Sequence, residues 1–170
     1  EWLATGDRNG GITIWDADNG LEIHTTAGHK VGVTALSWRG DSRLLASSSE
    51  DGSVKVWEMN EGKQVRTWNA HKDGALCVSY THDGRLVTCG RDNQVTTWSA
   101  DGAKQKSFEF TNELPVRVTF SHDGARVIGT DWTGKITIWD SKTGKALGDL
   151  AANPPRIAEQ ISAAQQRLNE

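Results

Sequence analysis

The segment SVKVWE, residues 53–58, decides the fold because it recurs along the chain at a nearly constant interval. Each copy alternates apolar and polar residues, as a half-buried β-strand does, and each has tryptophan at its fifth position. Since an internal period of about 40 residues defines an architecture, the chain is predicted to be a repeat protein. The tryptophans follow one another after 42, 41 and 41 residues, in GITIWD (11–16), SVKVWE (53–58), QVTTWS (94–99) and KITIWD (135–140).

The residues between these segments repeat as well, and each unit is predicted to contain four short antiparallel strands. A first strand ends in an aromatic residue and leads into the turns RGDS (39–42), THDG (81–84) or SHDG (121–124). The last two turns end in Asp-Gly, which favours a tight hairpin. A second strand, a second turn, the tryptophan strand and an outer strand complete the unit. The chain therefore contains three complete units, preceded by one that lacks its first strand.

This unit resembles the four-stranded blade of WD40-type β-propellers, which repeats about every 40–45 residues. The resemblance rests on GHK at 28–30, AHK at 70–72 and the WD pairs at 15–16 and 139–140, and it covers residues 1–152. It implies an all-β fold with three complete four-stranded blades and one three-stranded blade. The blades are expected at approximately 1–27, 28–70, 71–111 and 112–152.

In the WD40 family a buried hydrogen-bond relay often joins a histidine before the first strand, a Ser or Thr on the second, an aspartate in the next turn and the third-strand tryptophan. The buried His and Asp satisfy each other in this arrangement, and the indole N–H finds an acceptor. Ser49 is an alternative to Ser47 if the strand register differs. The resemblance implies two relays: His29, Ser47, Asp51 and Trp57 in the second unit, and His71, Thr88, Asp92 and Trp98 in the third.

The two outer units keep the third-strand tryptophan, Trp15 or Trp139, but lose other members of the relay pattern. We therefore expect packing alone to hold these units together, and we expect them to be the less stable ones. The first unit retains Thr5 but has Asn9 in place of Asp, and the last unit has Asn112, Gly129 and Thr133 in place of His, Ser/Thr and Asp.

Residues 153–170 depart from the repeat and are predicted to form an amphipathic helix or a linker. Asn153 can cap the helix, Pro154 suits its first position, and an apolar stripe in 4-3-4 spacing follows. The layout resembles bacterial WD40 proteins whose propeller runs into an Ala/Gln-rich helical region, some of which carry c-type haem domains. Because no Cys-x-x-Cys-His occurs here, no haem-binding residue is implied.

The composition excludes several classes of protein. No segment approaches the ~18 consecutive apolar residues of a membrane span, and the net charge of −3 gives no basic surface for nucleic acid. Two cysteines are too few for a disulfide scaffold. Cys77 and Cys89 fall on adjacent strands of one unit, where contact is conceivable, but two small buried thiols are the favoured interpretation. The compartment stays open between the cytoplasm and the periplasm.

Catalysis, cofactors and metals are not predicted. His, Ser and Asp recur once per unit beside a tryptophan, which indicates a structural relay rather than a nucleophilic triad. The chain has no Gly-x-Ser-x-Gly and no phosphate-binding glycine loop. His82–Asp83 and His122–Asp123 occupy equivalent turns and are predicted to be solvated turn residues rather than metal ligands.

Elimination and resemblance together predict a non-catalytic scaffold that binds proteins through one loop face. In the WD40 family this face carries the loops before the first strand and between the second and third strands. Trp132 is the leading candidate because Trp and Arg are enriched at interface hot spots. Packing of Trp132 over its own blade edge is the alternative, as are ion pairs for the charged positions. The candidate contact residues are Trp132, Arg91, Arg8, Glu50, Lys30 and Lys72.

The sequence does not identify the protein partner. Because the chain starts within a unit, we expect it to be part of a longer propeller. Closure by a second copy is ranked second, and a four-blade ring last. An open arc would leave apolar blade faces bare, so missing blades or a second copy are expected partners. The alternative function is a docking or regulatory module of a larger bacterial enzyme or c-type cytochrome-containing protein.

Overall fold

The computed structural model describes residues 1–110, 113–151 and 165–166. Fifteen strands occur in this part of the chain, arranged as one three-stranded and three four-stranded antiparallel sheets. Within each sheet the strands follow chain order, so every connection is a hairpin. The predicted all-β fold, with three complete units and one three-stranded unit, is confirmed.

The sheets are numbered here in chain order. Sheet 1 contains β1 (Trp2–Gly6), β2 (Gly11–Asp16) and β3 (Glu22–Ala27). Sheet 2 contains β4 (Val33–Trp38), β5 (Leu44–Ser49), β6 (Ser53–Glu58) and β7 (Lys63–Asn69). Sheet 3 contains β8 (Ala75–Tyr80), β9 (Leu86–Gly90), β10 (Gln94–Trp98) and β11 (Lys104–Glu109). Sheet 4 contains β12 (Pro115–Phe120), β13 (Arg126–Asp131), β14 (Lys135–Asp140) and β15 (Ala146–Ala151).

Each core of the molecule lies between two consecutive sheets. The third-strand tryptophan of one sheet packs on the sheet before it, because strand alternation directs this position to that face. Trp57 joins Ile12 and Ile14 of sheet 1 in one cluster. The ring of Trp139 lies 5.7 Å from that of Phe108 on sheet 3, and Trp98 packs on sheet 2 in the same way. The recurrent tryptophan therefore holds neighbouring sheets together.

The sheets form an open arc. The first strands pack in sequence, β1 on β4, β4 on β8 and β8 on β12. Within the described residues, no extended packing joins sheet 1 to sheet 4. One outer face therefore carries Trp15 with its cross-strand partner Leu3, and the other carries Ile136 and Ile138, on the side of β14 opposite Trp139.

A register shift recurs at one place in every sheet. It lies between the last two strands of the sheet, immediately before the tryptophan, as between Val56 and Trp57. The equivalent shifts precede Trp15, Trp98 and Trp139. A β-bulge bends its strand and increases the local twist. The β-bulge is thus a recurring feature of the repeat unit, although the alternation of apolar and polar residues in the sequence did not predict it.

Two sequence predictions fall on residues that the structure describes only in part. Asn112 lies outside the described residues, as does the predicted helix at 153–170 apart from Gln165 and Gln166, which are helical and exposed. In the described part of the chain no helix has the length and apolar character needed to cross a membrane.

Candidate interaction face

The relay in sheet 3 runs without a break from the core to the loops. Trp98 donates its indole N–H to Thr88 Oγ1 at 2.9 Å, and Thr88 Oγ1 lies 2.8 Å from His71 Nε2. His71 Nδ1 lies 2.8 Å from Asp92 Oδ1. The β9–β10 pairing brings Thr88 near Trp98, and the turn after β9 carries Asp92. The four residues implied by the resemblance are therefore joined in one hydrogen-bonded chain.

The relay in sheet 2 has an additional member. Ser47 Oγ accepts the indole N–H of Trp57 at 2.9 Å and lies 2.7 Å from His29 Nε2. His29 Nδ1 is 3.0 Å from Ser53 Oγ but 3.5 Å from Asp51 Oδ2. Ser53 in turn donates its hydroxyl to Asp51 Oδ1 at 2.5 Å. Ser53 was not predicted. It lies four residues before the tryptophan, where sheet 3 has Gln94, and this difference between the two units is the sequence signal that could have identified it.

Both relays hold loops at one end of the sheets. Asp51 accepts the backbone N–H of Lys30 at 3.1 Å, and Asp92 accepts that of Lys72 at 3.3 Å. Ser49, the alternative to Ser47, instead donates its hydroxyl to the carbonyl of Val31 at 3.1 Å. Each bond ties the loop before a first strand to the turn between the second and third strands. The relays therefore build a firm loop face.

The charge state of the relays follows from their burial. Burial lowers the pKa of His29 and His71 below the ordinary value of 6.5, and the neighbouring carboxylates offset only part of this effect. Burial acts to raise the pKa of Asp51, but hydrogen bonds from Ser53 and from the backbone N–H of Lys30 lower it to about 2. At neutral pH the histidines are thus neutral and Asp51 is ionised.

The relay histidines are expected to make the protein less stable in mild acid. The unfolded chain binds protons near pH 6.5, whereas the folded chain holds these histidines neutral at lower pH. The contribution of the two histidines to the free energy of unfolding is complete above pH 6.5. It declines as the pH falls towards their lowered pKa in the folded protein. Urea unfolding at about pH 7.5 and about pH 5.5 measures the difference. The His29→Gln/His71→Gln double variant should flatten it, and His24→Gln, which lies outside the relays, should not.

Removing the relay aspartate is expected to cost more in sheet 3 than in sheet 2. Asp92→Ala leaves the buried Nδ1 of His71 without its partner and should lower the free energy of unfolding by about 1–3 kcal/mol. In Asp51→Ala, Ser53 still pairs with His29, so a smaller loss is expected. Thermal and urea unfolding of the two variants gives the comparison. A larger loss in Asp51→Ala would contradict the role assigned to Ser53.

Sheet 1 is not held by packing alone, which corrects the sequence-based expectation for that sheet. Trp15 still donates its indole N–H to Thr5 Oγ1 at 2.8 Å. In sheet 4, Gly129 stands where the relay hydroxyl would be. A Cβ at that position would lie 3.0 Å from the rings of both Phe110 and Trp139, so close ring packing requires glycine.

The outer turns also contain an aspartate that the relay pattern did not predict. Asp7 Oδ1 accepts the backbone N–H groups of Asn9 at 2.6 Å and Gly11 at 3.0 Å. Asp131 Oδ1 accepts those of Thr133 at 2.9 Å and Lys135 at 3.0 Å. Both aspartates lie eight residues before the tryptophan instead of six. This shifted position is the sequence signal that identifies a locally closed turn.

Trp132 is held at the tip of such a closed turn. It is 75% exposed, so it does not pack over the edge of its own sheet. Asp131 is buried directly before it, and Gly134 follows with φ at +83°. Burial raises the pKa of Asp131, but hydrogen bonds from Thr133 and from the backbone of Lys135 outweigh it and lower that pKa. The turn thus presents the indole to solvent on a fixed backbone.

The remaining candidate contact residues lie at the same end of the sheets as Trp132. Arg91 Nη2 and Glu50 Oε1 are 3.2 Å apart, so the ion pair considered as an alternative is formed between the turns of sheets 2 and 3. Such an exposed pair contributes little stability. All six residues are exposed: Arg8, Lys30, Glu50, Lys72, Arg91 and Trp132.

The opposite end of the sheets carries the two histidine turns. The rings of His82 and His122 have centroids 6.3 Å apart, and Asp83 and Asp123 cap their own turns. Within the described ranges, no group of three or more His, Cys, Asp or Glu residues is arranged to hold a metal ion. Both histidines are exposed, as the prediction of solvated turn residues expected, and their rings lie side by side.

Antiparallel four-stranded sheets stacked through third-strand tryptophans, with His–Asp relays at one end, define a segment of a β-propeller. Residues 20–58 and 62–99 match the family model "WD domain, G-beta repeat". Residues 20–99 of the chain are therefore WD40 repeats. None of the curated proteins compared with it matches.

A solved structure with this fold is a chain of a mitotic checkpoint complex. It is 23% identical to this protein, with a TM-score of 0.81. The match covers 89% of this chain and 48% of that chain, so the protein spans about half the length of the solved chain. At this identity the likeness establishes the fold alone.

Proposed function

We propose that the chain is a protein-interaction scaffold that binds its partner through the loop face carrying Trp132. The observation that carries the proposal is the exposed indole on a closed turn. Trp is among the residues most enriched at interface hot spots, so an exposed indole on a hydrogen-bonded turn is a candidate anchor for a partner.

The rigid loops support this proposal. A binding surface loses conformational freedom when a partner docks, and a surface that is already ordered loses less. Asp131 fixes the turn of Trp132, while the relays fix the loops that carry Lys30 and Lys72. Arg91, although paired with Glu50, keeps half of its side chain exposed. The face therefore combines an aromatic anchor with charged residues that can determine specificity.

The burial of the relays favours binding over catalysis. The side chain of His71 is only 1% exposed, and both of its ring nitrogens have partners within the protein. A general base must come within hydrogen-bond reach of a substrate. His29 is enclosed in the same way. The repeated His, Ser/Thr and Asp residues are thus assigned to loop support.

Trp132→Ala is expected to weaken partner binding by about 2 kcal/mol, roughly thirtyfold in affinity, while the fold is retained. The partner is first isolated by affinity capture from a lysate of the source organism. Its affinity for the purified variants is then measured by calorimetry. Val65→Ala, which shortens an exposed apolar residue on an outer strand, is the matched control. Equal affinity of Trp132→Ala and the wild type would place the binding surface elsewhere.

We further propose that the two bare outer faces are covered by additional blades or by a second copy. Trp15 occupies in sheet 1 the position that Trp57 occupies in sheet 2, where the indole packs on the preceding sheet. Ile136 and Ile138 occupy in sheet 4 the positions of Ile12 and Ile14, on which Trp57 packs. Light scattering over a concentration series separates the two occupants. A dimer would favour the second copy, whereas a concentration-independent monomer would favour further blades.

A further inference from the structure

Cys77 and Cys89 are direct partners across the β8–β9 pair. Opposed residues in antiparallel strands have Cα atoms about 4.5–5.5 Å apart. This separation lies within the range of about 4.4–6.8 Å that disulfides span. Both residues are free thiols with side chains in the same core cluster, and neither is more than 2% exposed.

Both thiols point towards the first strand of the next sheet. Cys77 Sγ donates to the carbonyl of Val118 at 3.7 Å, and Cys89 Sγ donates to the carbonyl of Pro115 at 3.6 Å. The sulfurs therefore share one side of sheet 3. Two thiols on the same side of adjacent strands need only side-chain rotation to meet.

The two sulfurs differ in access and in acidity. Cys77 lines a groove of about 270 Å³ together with Arg117 and Thr119, which are both exposed, so small molecules can approach it. The neighbouring Cys89 thiol lowers the pKa of Cys77 against the effect of burial, and Arg117 acts in the same direction. The Cys77 thiol and burial together raise the pKa of Cys89. This asymmetry suits an attacking thiolate and a second, resolving thiol.

We propose that Cys77 and Cys89 form a reversible dithiol–disulfide pair that responds to hydrogen peroxide. The Cys77 thiolate attacks one peroxide oxygen, the O–O bond breaks, and the product is a sulfenic acid with one water after protonation. The Cys89 sulfur then attacks the Cys77 sulfur, an S–S bond forms, and the sulfenic oxygen leaves as a second water. Two thiols are oxidised by two electrons, one peroxide is reduced, and a dithiol reductant reverses the change.

Disulfide formation also alters the contact between sheets 3 and 4. It removes both S–H donors, so the carbonyls of Pro115 and Val118 lose these partners. Pro115 pairs with Asp131 in the β12–β13 register, and Asp131 closes the turn that carries Trp132. Oxidation therefore acts on the strand that supports this turn.

The test treats the intact chain with hydrogen peroxide and follows it by intact mass and by mapping of disulfide-linked peptides. The expected product has lost two hydrogen atoms, contains a Cys77–Cys89 link within one chain, and returns to the dithiol with dithiothreitol. In Cys89→Ser, dimedone should trap a sulfenic acid at Cys77. In Cys77→Ser, oxidation of Cys89 should be slower by about tenfold or more.

A measurement on the wild-type chain keeps the test independent of variant folding. Phenylarsine oxide bridges two adjacent thiols, so one equivalent should block both cysteines in the folded protein. The proposal is overturned if peroxide links cysteines only between chains, if both thiols stay reduced, or if phenylarsine oxide does not bind the folded chain. None of these readouts depends on partner binding, so the proposed loop-face function is tested separately.

Discussion

Trp98→Ala is expected to lower the free energy of unfolding by about 3–5 kcal/mol. The indole is 5% exposed and lies in the cluster that includes Val54 and Val56 of sheet 2. Its ring also lies 5.5 Å from that of Trp68, tilted by 49°, and its N–H donates to Thr88. Truncation would leave a cavity between sheets 2 and 3 and remove one end of the relay. Urea unfolding followed by circular dichroism measures the loss.

Two further variants divide this effect into its parts. Trp98→Phe keeps an aromatic ring but removes the indole N–H, so an intermediate loss is expected. Trp2→Ala removes a tryptophan that is 41% exposed at the first strand and should cost clearly less. If Trp98→Ala were no more harmful than Trp2→Ala, the third-strand tryptophan would not be the main contact between the sheets.

Gly52→Ala is expected to be comparably destabilising, for a reason based on the backbone. Gly52 has φ at +83°, where an L side chain costs about 1–2 kcal/mol. A Cβ at this position would lie 2.2 Å from the carbonyl oxygen of His71. The Gly52 carbonyl also accepts the backbone N–H groups of Ala70 and His71 at 2.9 and 3.1 Å. Displacing this loop adds about 1–3 kcal/mol of overpacking.

Gly20→Ala is the matched control for this substitution. Gly20 also has a left-handed φ, at +73°, but an added Cβ would meet nothing within 4 Å. Its variant should lose only the backbone term of about 1–2 kcal/mol. The difference between the two melting curves therefore isolates the clash with the His71 carbonyl. Equal losses in Gly52→Ala and Gly20→Ala would show that the loop moves aside freely.

The strand order was predictable because each tryptophan strand repeats at a fixed interval and alternates in polarity. The contact of Thr88 with Trp98 also follows from sequence spacing, since the hairpin pairs Thr88 with Thr96 and so places it diagonally across from Trp98. Whether Ser47 or Ser49 accepts the indole N–H of Trp57 depends on the strand register, which spacing alone does not determine. Only the folded sheet selects Ser47.

Other parts of the candidate site depend on short tertiary distances. In sheet 2, Ser53 lies between His29 and Asp51, because His29 Nδ1 is 3.5 Å from Asp51 Oδ2. In sheet 3 the equivalent distance, between His71 Nδ1 and Asp92 Oδ1, is 2.8 Å. The only local sign of that difference is Ser53 itself, at the position where sheet 3 has Gln94. The exposure of Trp132 was likewise undetermined, because an indole in a turn can fold back on its own sheet or project from it. The capping of the turn by Asp131 decides this, and that residue precedes the position where the relay pattern places an aspartate.

The direction of tryptophan packing gives the chain a polarity like that of a protofilament. Each sheet contributes an indole to its predecessor and receives one from its successor, so the two ends of the arc are chemically different. In the described part of the chain, the Trp15 ring of sheet 1 has no preceding sheet to pack on, and the Ile136 and Ile138 surface of sheet 4 receives no indole from a following sheet. A molecule that caps one end therefore has the wrong shape for the other. Growth or closure of the arc can proceed only head to tail.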